Sequence, residues 1–306
     1  MIKEYSYKGL KWLDLENPEE KEVNEIMHRF NVSAEAVENL LSPTPKQRVV
    51  LYPSCVYIVL HFPTLSFHKN AFQGEGHRKE IDFLVGKNFL LTVHYDPMTA
   101  IKKFSEFFER SKTEQGVEEN AGVIFHRLVK HLYHSLLYDV EVIKGLLQKA
   151  ENSIFKGEEK KMVAELSQIH RDILKFNNAL LPHREAIEAL RGIFRGFLGD
   201  SSESIIHDIK SEYDRVDRRM QSNKALLEEL RHTNDSLLSA KQNEAMKGLT
   251  MMAFITFPLT LIAAIFAMRT ESTPFIGNRY DFVIVICIML IVILSCVTFF
   301  KYKKWL

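Results

Sequence analysis

Two stretches near the C-terminal end decide the fold: LTMMAFITFPLTLIAAIFAM at 249–268 and FVIVICIMLIVILSCVTFF at 282–300. Each is close to the roughly 20 residues that carry a helix across a ~30 Å hydrocarbon core. Neither contains an acidic or basic side chain. Residues 269–281, between them, are too few for a domain and read as a short outer loop closing a helical hairpin. The chain is therefore expected to sit in a lipid bilayer through two C-terminal transmembrane helices.

The rest of the chain has a different texture. Its 306 residues leave room for more than one domain, and 40 basic residues against 39 acidic ones give a formal charge of +1. No basic stripe dominates, which argues against nucleic acid as a partner. Nearly all the charge lies upstream of Leu249, so the composition blends a soluble part with a membrane part. Cys55, Cys287 and Cys296 show no paired spacing, and two of them fall inside the second apolar run. A disulfide framework or zinc ribbon is not expected. The N-terminus opens without an apolar signal-peptide core, so the large N-terminal part is expected to stay where it is made. Lys241 and Lys247 precede the first span, and Lys301, Lys303 and Lys304 follow the second. The loop between balances Arg269 and Arg279 against Glu271 and Asp281. The positive-inside rule then places both termini in the cytoplasm of a cell-membrane protein, with the loop outside. Tyr302 and Trp305 suit an interfacial belt.

Residues 1–118 read as a mixed α/β cytoplasmic domain. Residues 49–62 and 81–94 are rich in β-branched and aromatic side chains, and Gly86-Lys87-Asn88 makes a plausible hairpin turn in the second. Residues 66–77 read as a polar loop. Asn17-Pro18-Glu19-Glu20 and Asp96-Pro97 resemble helix starts. After Thr113-Glu114-Gln115-Gly116 the pattern becomes helical. Residues 119–202 are expected to form paired helices, one over about 121–154 and one over about 158–190, with Pro182 a possible kink. Gly192, Gly196 and Gly199 are expected to mark a break. From Glu203 the helical pattern meets neither proline nor glycine until Gly248 and then enters the first span. One helix over 203–268 would be roughly 100 Å long, which suits a stalk. The plain alternative is a coiled coil anchoring a receptor domain.

Alternating steps of three and four from Asn243 reach Met246, Thr250, Ala253, Phe257, Thr260, Ala264 and Ala267. Most other positions of this span, including Leu249, Met252, Ile255, Leu259, Ile262 and Phe266, are bulky and apolar. A small and polar stripe on a membrane helix is either a packing face or a pore lining, and spacing alone leaves both open. Pro258 removes a backbone hydrogen bond and is expected to bend the helix. Two spans cannot enclose an aqueous path, so conduction requires several copies around one axis.

These features together resemble the CorA family of divalent metal-cation (magnesium) transporters. Residues 243–250, Asn-Glu-Ala-Met-Lys-Gly-Leu-Thr, are similar to the family's Asn-x-x-Met-Lys-x-Leu-Thr entry to its pore-lining helix. Residues 257–266 are similar to its Pro-Leu-Thr-x-Ile-Ala-Gly-Ile-Tyr segment, and residues 301–306 to its basic ending. Upstream, residues 181–185 resemble the Pro-x-Arg-Glu of its cytoplasmic helices, and residues 86–93 its α/β hairpin. The resemblance covers essentially the whole chain. It implies a funnel-shaped homopentamer with an α+β cytoplasmic domain, a stalk helix continuing into the pore-lining helix (203–268), an extracytoplasmic loop (269–281), a second transmembrane helix (282–300) and a basic cytoplasmic tail (301–306). It implies transport of a divalent cation (Mg²⁺, or a transition metal such as Zn²⁺ or Co²⁺), gated by the cytoplasmic domain. Met246 and Leu249 would form an apolar gate, and Asn243 and Thr260 would offer oxygens to a hydrated ion. The resemblance also places regulatory cations between cytoplasmic domains, at Asp208 and near Asp96. No enzymatic activity and no protein partner beyond the pentamer and the bilayer are implied.

One departure keeps alternatives open. The family's Gly-Met-Asn filter signature is here Ala267-Met268-Arg269. At ~6 Å and an effective dielectric near 20, each unit charge pair costs roughly 3 kcal/mol, doubled for a divalent ion. Glu271 is placed to neutralise the arginine ring. The second acid that often follows proline in the family's loop is absent, since Phe275 follows Pro274. Three expectations result: a cation transporter with Arg269 turned aside or paired, a relative that is proton-coupled or passes anions, or a non-conducting sensor or scaffold. No phosphate-binding glycine loop, zinc-protease motif or nucleophile elbow is present in the sequence. His131 and His134 share a helical face with His126 nearby, a set able to bind a transition metal, but they read first as surface or packing histidines, and residues 214–219 read as a solvated stalk face.

Overall fold

The computed structural model describes residues 2–7, 9–64, 78–110, 120–199, 202–268 and 280–303. The expected loop at 66–77 and the change of texture at 113–116 lie outside the described residues. The chain divides into two compact units, Met1–Arg231 and His232–Leu306.

The first unit is built on a six-stranded sheet of order β1-β2-β6-β5-β4-β3. Its strands are β1 (Ile2–Tyr7), β2 (Leu10–Glu16), β3 (Arg48–Leu51), β4 (Cys55–Pro63), β5 (Arg78–Gly86) and β6 (Phe89–His94). All neighbours are antiparallel except β2 and β6, which run parallel with Leu13 beside Leu91. The sheet carries helices on both faces, so β4 and β6 are buried along their whole length and are mostly apolar, with His61, Thr92 and His94 as buried polar exceptions. On one face, Leu13, Leu15, Tyr57, Leu84 and Val93 form a core with Val23, Ile26 and Met27 of α1 (Glu20–Phe30) and Ala36 of α2 (Ala34–Glu38). On the other, Trp12 packs against Tyr5 at 4.7 Å and against Phe104 and Phe108 of α3 (Thr99–Arg110) at 5.2 and 5.6 Å. The Trp12 ring is fully buried, so its Nε1–H needs a partner, and it donates to Thr92 Oγ1 at 3.1 Å. α1 starts as the Asn17-Pro18-Glu19-Glu20 signal leads one to expect. Glu19 is its N-cap and the Glu22 side chain accepts from Glu19 N–H at 3.0 Å, while Asn31 closes it at φ 52°.

Three further helices follow. Asn120 caps α4 (Ala121–Phe155) by accepting from Val123 N–H at 3.0 Å. α5 (Glu159–Leu180) and α6 (His183–Leu198) are separate, so Pro182 does not kink one helix but parts two. Having no N–H to donate, it sits at the N-cap of α6, where none is required. The break expected at Gly192 and Gly196 is absent, because α6 runs through both. Each has open space where a Cβ would be, and the apolar stripe Ala186, Ile187, Leu190 and Phe194 holds the helix. The break comes at Gly199 alone, with φ 81° and ψ −164°, a conformation only glycine adopts without strain.

α7 (Ser202–Ala267) is 66 residues long and continues past both Gly248 and Pro258. Its portion in the first unit buries Ile206, Ile209, Tyr213, Val216, Met220, Asn223, Leu227 and Leu230 at alternating steps of three and four. The second unit holds the remainder of α7 and α8 (Asp281–Tyr302). Both helices contain stretches long and apolar enough to cross a membrane, and those stretches are not buried within the protein.

Candidate functional site

The apolar half of α7 and all of α8 form a helical pair whose contact face is legible residue by residue. On α8, Ile284, Val285, Ile288, Met289, Val292, Ile293 and Cys296 are half-covered and Phe300 is buried, while Phe282, Ile291 and Leu294 stand open. On α7 the bulky positions Met251, Ile255, Leu259, Ile262 and Phe266 are half-covered, together with Pro258. Phe254 and Phe300 meet edge to face at 6.2 Å, and Cys296 Sγ lies 3.9 Å from Phe254 O.

At 100° per residue, the covered positions of α7 centre on the side opposite the Asn243-to-Ala267 stripe. Asn243, Met246, Phe257, Thr260, Ala264, Ala267 and Met268 are exposed, as is Leu249 beside the stripe, and only Thr250 and Ala253 are half-covered. Phe257 is 74 % exposed, Met246 62 % and Leu249 63 %. The small and polar side is thus the side that α8 leaves bare. In lipid a stripe of this kind needs a further partner or water.

The hydroxyls on the stripe are oriented by the helix itself. Thr250 Oγ1 donates to Met246 O and Thr260 Oγ1 to Thr256 O, both at 2.8 Å. Each hydroxyl proton is thereby committed within the helix, and the oxygen lone pairs remain as acceptors. Acceptor oxygens without charge suit the water shell of a hard cation better than direct coordination. Met246 and Leu249 stand before Thr250 in the helix, and Phe257 stands between the two threonines. The sequence reading missed a groove beside Asn243, lined by Ala240, Glu244, Lys247, Gly248 and Met251. Its signal was the small residues Ala240 and Gly248, which leave room between longer side chains.

Ala267 and Met268 lie at the end of α7, whereas Arg269 and Glu271 are outside the described residues. Of the two expected regulatory carboxylates, Asp208 on α7 is about half exposed and faces His126 Nε2 of α4 at 3.5 Å. Burial holds the His126 imidazole below its ordinary range despite that carboxylate. Asp96 is exposed, and its carbonyl contacts His94 Nδ1 at 2.7 Å. Among the described residues no group of three or more His, Cys, Asp or Glu side chains is arranged to hold a metal. His131 is half-buried with its ring 5.8 Å from Phe104, a packing environment.

Several buried polar groups of the first unit are hydrogen-bonded into its frame. His183 takes a hydrogen bond on Nδ1 from Tyr133 Oη at 2.8 Å and donates from Nε2 to His61 O at 2.9 Å. Both ring nitrogens are satisfied by the neutral form, and complete burial pushes its pKa down to about 4. Burial pushes Glu80 up, but hydrogen bonds from His61 and Thr44 outweigh it and hold the carboxyl below its usual value. Asp82, two residues along the same strand, is raised well above the carboxylate range by burial and by the charge of Glu80.

A family described as "CorA-like Mg2+ transporter protein" matches residues 7–304. The cobalt/magnesium transport protein CorA of Thermotoga maritima is 23% identical over 283 residues, covering 90% of this chain and 78% of that protein. The putative metal ion transporter YfjQ of Bacillus subtilis is 22% identical over 296 residues, 96% of this chain and 89% of that protein. The complete structure of the CorA magnesium transporter from Methanocaldococcus jannaschii superposes with a TM-score of 0.84 at 18% identity, covering 99% of this chain and 94% of that one. At that identity the superposition speaks for the fold: an α+β N-terminal part, a long helix and a C-terminal apolar helix.

Proposed function

The chain belongs to the CorA-like Mg²⁺ transporter family, and from that premise we propose that it moves a divalent cation, Mg²⁺ first, through a homopentamer lined by the second half of α7. The observation that carries this is the placement of the Asn243, Met246, Thr250, Ala253, Phe257 and Thr260 stripe. It lies on the face of α7 opposite α8, with both threonine protons committed inside the helix. One copy leaves that stripe bare, and five copies around an axis would join it into a continuous lining. The ion passes hydrated, because Mg²⁺ gives up water reluctantly and the lining offers neutral oxygens. Met246, Leu249 and Phe257 close the path by dewetting. Both termini face the cytoplasm, where Asp208 and Asp96 contribute to regulatory cation sites completed by neighbouring subunits.

A second reading is favoured by one specific residue. Arg269 stands where the family has asparagine, and a guanidinium ring favours an anion or a proton-coupled cycle over a bare divalent ion. Purified chain in liposomes, assayed for Mg²⁺, Co²⁺, Zn²⁺ and Cl⁻ flux with Arg269→Asn alongside, separates the two. Divalent flux in the unaltered chain supports the first. Chloride flux abolished by Arg269→Asn supports the second. Divalent flux absent from the unaltered chain and restored by the substitution overturns the first.

A further inference from the structure

Glu80 and Asp82 lie on the same face of β5, and both are buried, at 8 % and 0 % exposure. Their surroundings differ. Thr44 N–H reaches both Glu80 oxygens at 2.8 and 2.9 Å, Thr44 Oγ1–H donates at 2.8 Å and His61 Nε2–H at 3.1 Å. Glu80 thus occupies a site built for a carboxylate. Asp82 receives only two long phenol contacts on Oδ2, from Tyr57 and Tyr95 at 3.3 Å each. The Tyr57 hydroxyl is shared with the carbonyl of Asn39 at 3.4 Å, and Asp82 Oδ1 is buried with no partner. A second anion so weakly held, on the face that already carries Glu80, is unfavourable, and a neutral acid avoids that charge.

Among the described residues no lysine or arginine pairs with either carboxyl. β4 contributes His61, whose Nε2 proton is already directed at Glu80 and at the carbonyl of Thr44, and β6 leads to Tyr95. Arg48 of β3 lies over the Tyr57 ring at 5.3 Å, with its Nε and Nη2 unpartnered. α1 turns Val23, Ile26 and Met27 to this face and α2 turns Ala36, while Glu35 of α2 adds negative charge near Tyr52. Both carboxyls bear on one stretch of chain, residues 39–47 between α2 and β3. Glu80 grips it at Thr44, and Tyr57 joins Asp82 to it at Asn39. Two contacts on this stretch involve neither carboxyl: Arg78 Nη2 donates to Pro45 O at 3.1 Å, and Gln47 Nε2 donates to Ala179 O of α5 at 2.9 Å.

We propose that Glu80 and Asp82 form a proton-operated latch on residues 39–47. With a proton on Asp82 and none on Glu80, the stretch lies closed on the sheet. When Asp82 loses its proton, two like charges share one face and the Tyr57 proton is drawn from Asn39 O to Asp82. The repelled Glu80 carboxylate turns toward water and lets go of Thr44. Burial and the Glu80 charge hold Asp82 above its unfolded value of about 3.9. As pH rises from there through the folded value, the unfolded chain sheds the proton first and the closed state loses stability. Glu80 acts with the opposite sign: it is held below its usual value, so its contribution is lost as pH falls. The latch goes beyond the transport proposal and is read without any ion flux.

The test uses the full chain in detergent. Thr44 lies between Pro43 and Pro45, which have no amide N–H, so hydrogen exchange within 43–45 reports the Thr44 amide alone. From about pH 5 to about pH 9 its protection, corrected for the intrinsic rate, falls at least about tenfold in the unaltered chain. In Asp82→Asn, the neutral isostere, it falls less than about twofold. Over the same range the infrared carbonyl stretch of a protonated carboxyl, present in the unaltered chain and absent from Asp82→Asn, disappears. Tyr95→Phe, which takes away one donor to the anion, moves both changes to higher pH. Glu80→Ala removes the protection at every pH. An equal pH response in Asp82→Asn overturns Asp82 as the trigger. A carboxyl band that persists to about pH 9, or its loss with Thr44 still protected, overturns the latch. Should Asp82→Asn fail to fold, Tyr95→Phe decides, and a midpoint that it leaves unmoved overturns the proposal.

Discussion

The two ends of α7 use the same helical spacing for opposite purposes. Between Ile206 and Leu230 the three-and-four stripe is buried and apolar apart from Asn223, and charged side chains such as Arg215, Arg218 and Arg219 face outward. Between Asn243 and Ala267 the stripe mixes small or hydroxylated residues with Met246 and Phe257 and is mostly exposed. The large apolar side chains off it are divided between half-covered positions such as Ile255, Leu259 and Ile262 and exposed ones such as Met252, Leu261 and Ile265. The first pattern answers to water, which drives apolar surface inward. The second answers to lipid, where apolar surface is at no disadvantage and polar surface must find a partner or water. One helix therefore records a change of solvent along its length.

The contrast can be broken most severely on the water-facing side. Val216 is fully buried, and Val216→Asp leaves a carboxylate without a partner in the seam. That should destabilise the first unit by about 4 kcal/mol, read as a lowered melting midpoint of the purified chain. Phe257→Ser, at an exposed position of the stripe, should leave the stability of the first unit within about 0.5 kcal/mol of its unaltered value.

Acid should divide the two units next. His183 has a folded pKa of about 4 against an unfolded value near 6.5. The unfolded chain therefore binds the extra proton between those values, and stability is lost as pH falls from 6.5 to 4. The loss amounts to about 3 kcal/mol for this one group. Hydrogen exchange at pH 4.5 should show α6 and β4 losing protection before the spans do, since the spans carry no acidic, basic or histidine side chain at 249–268 or 282–300. His183→Gln should flatten the acid limb; an unchanged limb would remove His183 as its source.

On the lipid-facing side the effects appear in flux instead. Thr260→Lys puts a ring of charge into the proposed lining and should cut divalent flux at least about 100-fold, with the fold retained. Undiminished flux would mean that this face packs and does not conduct. The mildest change is Thr250→Val, which removes one acceptor oxygen per copy and should reduce flux about threefold.

Much of this was legible in advance, for particular reasons. The spans were, because a bilayer demands about 20 apolar residues whatever surrounds them. α4 was, because its periodicity lies intact behind Asn120. β1 and β2 were not, since Ile2–Tyr7 and Leu10–Glu16 interleave Lys, Glu and Asp with apolar residues, and they are stabilised by their hairpin pairing, by the parallel partner β6 and by helices distant in the chain. The parting of α5 from α6 was read as a kink, because a proline alone does not say whether the chain bends or restarts. In the candidate site, the stripe from Asn243 to Thr260 was legible as a stripe, but not as the face α8 leaves bare.

That last distinction separates what each level determines. Composition and period by themselves determine that two helices lie in lipid and that one carries a small, polar side, because solvent acts on each residue independently of its neighbours. Which side a neighbour covers, where Asn223 and His183 find their partners, and which carboxylates stay far from any third ligand are decided only in tertiary structure. Each depends on residues that are distant in the chain, His183 and His61 by 122 positions and Asn223 and Val140 by 83, and no local pattern carries that pairing.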